Sequence, residues 1–227
     1  MLFANTWPLR KLILPGALLF STGLSLAAFG QGPAPIADSD FVQIKRIDPT
    51  IVIDLRYAGP NNFVRRPLYP PGMPALVRYS VAKRLVFAQK YLKQHGFGLK
   101  IWDAYRPQAA HQQLWEANKN NSYVADPKEV GSMHTRGAAV DVTLVDLKGK
   151  EVPMPTEFDN FTPAAMINYQ GSDPVIRSNL KLLQKAMGRA GFYGLRTEWW
   201  HFCAADWTTF PPVAEVHLLA EAPRPNP

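Results

Sequence analysis

A single cysteine occurs in 227 residues, which excludes an intramolecular disulfide framework and a metal site built from clustered thiolates. Charged residues are also few, at 19%, while hydrophobic residues reach 47% and aromatics 11%. That balance excludes a disordered or fibrous chain. Internal repeats, low-complexity linkers and basic runs of five or more are all missing. The formal charge of +7, from 25 Lys+Arg against 18 Asp+Glu, therefore reads as a mildly cationic solvated surface and not as a nucleic-acid contact. No helical H-E-x-x-H motif occurs either. What remains is a chain long enough to bury one sizeable core.

The longest apolar run lies at the start. Arg10 and Lys11 precede an uncharged stretch from Leu12 to Phe29, and Ala28 and Gly30 are suitably small for a cut before Gln31. This pattern predicts a signal peptide over residues 1–30, hence an exported protein, periplasmic or secreted. Pro15 and Gly16 interrupt the run, so no stable membrane insertion is expected after cleavage. Lipoprotein attachment is unavailable because no cysteine follows the run. Cleavage removes two basic and no acidic residues, leaving 23 − 18 = +5 on about 197 residues. That charge leaves room for a weak attraction to anionic cell-wall polymers. The remainder divides into one domain over 31–220 and a Pro-rich tail over 221–227.

Within the domain, "IVIDLRY" (51–57) alternates, with Ile51, Ile53, Leu55 and Tyr57 on one face, and predicts a strand. "NNFVRRPLYPPGMPA" (61–75) is too rich in Pro and Asn for regular structure and predicts a surface loop. Ser80 is expected to cap a helix through Gln94, with Val81, Leu85, Ala88 and Leu92 at helical spacing and Gly96 ending it. "LKIWDAY" (99–105) predicts a second strand, and Pro107 opens a helix carrying Ala110, Leu114 and Trp115. "AAVDVTLVD" (138–146) alternates again. Asp173 followed by Pro174 signals the start of a helix carrying Ile176, Leu180, Leu183 and Met187, running to Gly191. A last strand is expected at "TEWWHF" (197–202). Strands and helices alternate too irregularly for a doubly wound sheet, so the expected class is α+β: one domain, a mostly antiparallel central sheet flanked by helices, with a metal site at the sheet.

Two segments stand out chemically. "GSMHTRGAAVD" holds His134 and Asp141, and "TEWWHF" holds Glu198 and His201. Two imidazoles and one carboxylate form a familiar catalytic zinc ligand set that leaves a fourth position for water. An unligated carboxylate nearby, here Glu198, would take that water's proton. Gly137 lets the chain turn after His134 and enter a strand on which Asp141 faces away from Val140, Val142 and Leu144. A regular strand would point Glu198 and His201 to opposite sides, so the idea requires a turn or bulge there. Spacing alone leaves open the alternative that these are ordinary hydrogen-bonded structural residues. His111 and His95 are expected to be exposed, His217 lies in the tail, and Cys203 reads as a small buried residue, since a thiolate ligand would close the water position. Trp199 and Trp200 read as packing.

"SMHTRGAAVDVTL" and "EWWHF" resemble the metal-binding motifs of the zinc D-alanyl-D-alanine dipeptidases, the VanX-like members of the D-Ala-D-Ala metallopeptidase family. "WDAYRP" (102–107) is similar to that family's arginine segment, "VPMPTEFD" (152–159) to the stretch after its zinc strand, and "DLRYAGPNNF" (54–63) to a segment near its start. The resemblance implies zinc-dependent hydrolysis of D-alanyl-D-alanine to two D-alanines, with one Zn2+ per chain held by His134, Asp141 and His201. It makes Glu198 the general base and Arg106 the stabiliser of the tetrahedral oxyanion. Ser132, Asp159 and Tyr57 fall near the dipeptide's termini, Asp159 facing its α-ammonium. The implied partner is a small D,D-dipeptide. The alternative within the same chemistry is a D,D- or L,D-carboxypeptidase that trims peptidoglycan stem peptides. Export conflicts with a role in glycopeptide resistance, which requires a cytoplasmic enzyme, and favours recycling of released peptides.

Overall fold

The computed structural model describes residues 35–216. The expected signal peptide, the tail and His217 lie outside the described residues. In chain order the elements are β1 (Phe41–Gln43), α1 (Ile44–Ile47), β2 (Val52–Ile53), β3 (Leu76–Arg78), α2 (Tyr79–Lys93) and β4 (Phe97–Asp103). These are followed by α3 (Gln108–Ala117), β5 (Ala139–Asp146), α4 (Pro174–Arg189), β6 (Phe192–Leu195) and β7 (Glu198–Ala204). Short 3-10 turns at Arg56–Ala58 and His134–Arg136 prove important for the site.

The central sheet has the order β2-β4-β5-β7-β6. Its β4–β5, β5–β7 and β6–β7 pairs are antiparallel and β2–β4 is parallel. A separate antiparallel pair joins β1 and β3. The architecture is the expected α+β arrangement, with a mostly antiparallel sheet flanked by helices.

β5 shows how the sequence dictates this. Val140, Val142 and Leu144 form one fully buried apolar face, while Ala139, Asp141 and Thr143 share the other. In α2 the residues Val81, Leu85, Ala88 and Leu92 are all at 0% exposure, and in α4 Leu180, Leu183, Ala186 and Met187 are buried. These two stripes pack on each other, α2 also on β4 and α4 on β5 and β6. Burying each such leucine contributes roughly 1.5–3 kcal/mol, so truncating Leu183 to Ala would cost about 2–5 kcal/mol.

Asp173 caps α4 as expected, accepting from Val175 N at 2.8 Å and Ile176 N at 3.2 Å. Ser80 does not cap α2. Arg78 occupies the cap position with no side-chain bond, and the first free amides of the helix, Tyr79 and Ser80, donate to the carbonyls of Asp40 and Asp38. Backbone from an earlier segment thus does the work the hydroxyl was expected to do.

The strand expected over 51–57 is also shorter than the alternation implied. Only Val52 and Ile53 pair with β4, at Lys100 and Ile101. After Asp54 N–H donates to Ile101 O, the chain coils into the 3-10 turn that buries Tyr57. Three further strands, β1, β3 and β6, have no counterpart in the alternation pattern, being three, three and four residues long.

Candidate metal and catalytic site

Two adjacent strands and one turn build the centre. Asp141 on β5 lies directly across from His201 on β7. His134 arrives from the 3-10 turn that precedes β5, and Gly137 ends that turn at φ 68°. A Cβ at Gly137 would lie 2.3 Å from Phe41 Cε1, so both the left-handed backbone and the lack of a side chain are required there.

The three groups converge. His201 Nδ1 is 3.0 Å from Asp141 Oδ1 and 3.1 Å from His134 Nε2, and His134 Nε2 is 3.4 Å from Asp141 Oδ1. Their ligand atoms all lie within 4.8 Å of one another, and all three residues are buried. His134 Nδ1–H donates to Ala104 O at 2.8 Å, which leaves Nε2 as a lone-pair donor facing the cluster. Two imidazole nitrogens and a carboxylate oxygen, closing on one point from three buried side chains, fit a borderline-soft divalent cation such as zinc.

Glu198 reaches the same space because β7 is irregular. Opposite Gly194 stands Phe202, yet opposite the next residue, Leu195, stands Glu198. The extra residues form the bulge that the sequence required if Glu198 and His201 were to act together. Glu198 is buried, and its Oε1 has no hydrogen-bond partner among the described residues. Burial pushes its carboxyl up to about 8, with Asp141 and Asp159 adding to the rise and His201 and Arg106 opposing it.

Arg106 is fixed by Asp103, whose Oδ2 accepts from Nε at 2.9 Å and Nη2 at 2.7 Å. Asp103 is fully buried; its Oδ1 accepts from Tyr69 and, at 2.8 Å, from Ala104 N. Burial works against the guanidinium charge, but Asp103 and its other anionic neighbours outweigh that and hold it protonated. Arg106 also stacks over the Tyr57 ring, 5.0 Å from its centroid, and its Nη2 is 3.7 Å from Asp141 Oδ2.

The three residues expected near the dipeptide's termini are polar groups with defined partners. Tyr57 O–H donates to Asp159 Oδ1 at 3.0 Å and Phe63 N–H to Oδ2 at 3.1 Å. Asp159 sits in the left-handed region at φ 57°, a conformation that short polar side chains tolerate. Loss of water raises its carboxyl to about 7. Ser132 Oγ accepts from His134 N at 3.2 Å, so it shapes the turn that delivers the ligand.

A cleft of about 550 Å³ of empty space, including its mouth, is lined by Arg106, His111, Ser132, His134, Glu198 and His201 together with the 121–125 segment.

Sequence reasoning missed Asp103, although it stands three residues before Arg106, and it placed His111 wrongly. His111 was expected to be exposed; it is 1% exposed. Its Nε2–H donates to Ala125 O at 2.8 Å, tying α3 to the loop that walls the cleft. Burial, with help from Arg106, lowers its pKa to about 4. His95 is exposed, as expected. Trp199 and Trp200 are fully buried in an aromatic cluster with Trp102 and Phe158, which matches the packing role.

Comparison with known proteins adds the following. Residues 37–218 match a peptidase family, M15, described as D-ala-D-ala dipeptidase. The D-alanyl-D-alanine dipeptidase of Escherichia coli (strain K12) is 34% identical over 186 residues, covering 81% of this chain and 91% of that protein. The D-alanyl-D-alanine dipeptidase of Enterococcus faecium is 30% identical over 176 residues, 67% of this chain and 85% of that one. A solved vancomycin-resistance D,D-pentapeptidase in complex with Zn(II) overlays with a TM-score of 0.38 at 14% identity, covering 62% of this chain and 79% of that one.

Proposed function

The chain belongs to the D-ala-D-ala dipeptidase family, and from that premise we propose that it hydrolyses D-alanyl-D-alanine to two D-alanines in cell-wall peptide metabolism, with one zinc ion per chain. The observation that carries the reading is the convergence of His134 Nε2, Asp141 Oδ1 and His201 Nδ1 in the cleft lined by Glu198, whose Oε1 is buried and unpartnered. A zinc ion held by these three residues supplies Lewis acidity, which polarises the scissile carbonyl and acidifies water.

The chain's own groups do the rest. Glu198 takes the proton from the attacking water as its oxygen bonds to the carbonyl carbon. It returns that proton to the amine nitrogen as the C–N bond breaks. Burial, by raising the affinity of Glu198 for protons, suits it to both transfers. Arg106, held in place by Asp103, offers directed donors to the negative charge that develops on the carbonyl oxygen. Asp159, oriented by Tyr57 and Phe63 N–H, pairs with the α-ammonium of the substrate. Such a partner favours a free dipeptide over a longer chain, because without the ammonium its carboxylate would stay desolvated and unpaired. Ser132 contributes through the turn that positions His134.

The test is product analysis on D-Ala-D-Ala, L-Ala-D-Ala and a stem pentapeptide ending in D-Ala-D-Ala. Release of D-alanine from the free D,D-dipeptide alone supports the dipeptidase. Equal rates on the pentapeptide would convert the assignment to a carboxypeptidase that trims stem peptides. The proposal extends to location: the pattern over residues 1–30 supports export, which places the enzyme where released wall peptides are recycled. Activity confined to the cytoplasmic fraction would overturn that part.

A further inference from the structure

We propose that Cys203 is a positioning residue for the metal site: its sulfur accepts the Nε2–H of His201 and so fixes the tautomer that presents Nδ1 to Asp141 and His134. The inference rests on the proposed role of His134, Asp141 and His201 as metal ligands. Its foundation is the assignment of the two ring nitrogens. His201 Nδ1 faces Asp141 Oδ1 at 3.0 Å and His134 Nε2 at 3.1 Å. On the far side of the ring, Nε2 lies 3.0 Å from Cys203 Sγ. A neutral imidazole carries one N–H, and the nitrogen that bears it has no lone pair for a metal. With Nδ1 turned to the cluster, the proton resides on Nε2 and points at the sulfur.

His134 provides the contrast within the same site. There the assignment is reversed: Nδ1–H donates to Ala104 O and Nε2 faces the cluster. The two histidines thus use opposite nitrogens, and each has a hydrogen-bond acceptor behind it. One acceptor is a backbone carbonyl; the other is the only cysteine of the chain, 1% exposed. Residues 201 and 203 share a face of β7, so the spacing itself delivers the contact. Cys203 lies opposite Tyr193 on β6. The sulfur sits behind the ring and not among the ligand atoms, which agrees with its absence from the convergent group. Acceptors in this position orient a ligand and raise its basicity, and their removal typically weakens metal binding roughly 10–100-fold.

The test uses the full metal-loaded protein and two readouts besides turnover. In long-range 1H–15N spectra of the wild type, the His201 ring is expected to show a protonated Nε2 and a metal-bound Nδ1. Zinc affinity, measured by competition with a chelator, is expected to fall roughly 10–100-fold in Cys203→Ala and to be largely kept in Cys203→Ser, which retains an acceptor. Wild-type affinity in Cys203→Ala, or a His201 ring bound through Nε2, would overturn the proposal. Should Cys203→Ala not fold, the wild-type spectrum alone decides. A wild type that takes up no zinc at all would instead sink the metal-site reading beneath it, so the two failures are distinct.

Discussion

Replacing Glu198 by Gln separates the demands of folding from those of catalysis. The side chain is buried with one oxygen unpartnered, and burial lifts its carboxyl from 4.5 to about 8. In the metal-free protein the folded state therefore keeps a proton that the unfolded chain releases above pH 4.5. The unfolded state then binds fewer protons, so stability falls as pH rises through this window and levels off once the folded carboxyl ionises near 8. At about 1.4 kcal/mol per pH unit, the rise from 4.5 to about 8 sets a ceiling of about 5 kcal/mol on the loss. Gln cannot ionise and has the same shape, so metal-free Glu198→Gln is expected to escape that loss. The measurement is urea unfolding of both metal-free proteins at pH 5 and pH 8. The gap between them should widen by several kcal/mol in favour of the variant, while turnover of the zinc-loaded variant drops by roughly 10²–10⁴ with zinc retained. Parallel stability curves, or near wild-type turnover, would refute the reasoning. In the zinc-loaded wild type the added positive charge favours the carboxylate, so the acidic limb of kcat/KM is expected below pH 8.

Three further outcomes follow from named contacts. Asp103→Asn leaves the Arg106 charge buried without its anionic partner and should cost about 3–5 kcal/mol in denaturant unfolding; an unchanged midpoint would show that the pair does not hold Arg106. Asp159→Asn keeps a residue suited to φ 57° but removes the charge. It should lower kcat/KM for D-Ala-D-Ala roughly 10–100-fold and narrow the preference over the N-acetylated dipeptide; unaltered selectivity would remove Asp159 from ammonium recognition. Gly137→Ala places a Cβ against Phe41 at φ 68°, a backbone conformation that alone costs about 1–2 kcal/mol. A lower Tm and weaker zinc uptake through His134 are expected, and a variant with wild-type Tm would contradict the steric argument.

The parts of the molecule legible in the sequence are those governed by local pattern. The periodicity of α2 and the Asp173–Pro174 start of α4 are written in contiguous residues, as is the alternation of β5, and each is found where expected. His134, Asp141, Glu198 and His201 could be singled out because they fall in short segments, and the need to bring Glu198 and His201 to one side called for the irregularity that β7 shows. What escaped was long-range. Ser80 lost its capping role to the carbonyls of Asp38 and Asp40, some forty residues earlier in the chain. The alternation over 51–57 continued past the point where β2 ends, because pairing with β4 stops at Ile101. His111 was misplaced because its burial depends on Ala125 in a loop that has no periodicity. The clasp of Asp103 on Arg106 was local but silent, since an Asp three residues before an Arg is ordinary in a turn.

The central claim is that three convergent ligands make this a zinc-dependent D-Ala-D-Ala hydrolase. It is tested most directly by following release of D-alanine from D-Ala-D-Ala as zinc is stripped by a chelator and then titrated back. Loss of activity on stripping, with full recovery at one equivalent of zinc per chain, is the predicted result. Undiminished hydrolysis by the zinc-free protein would contradict it.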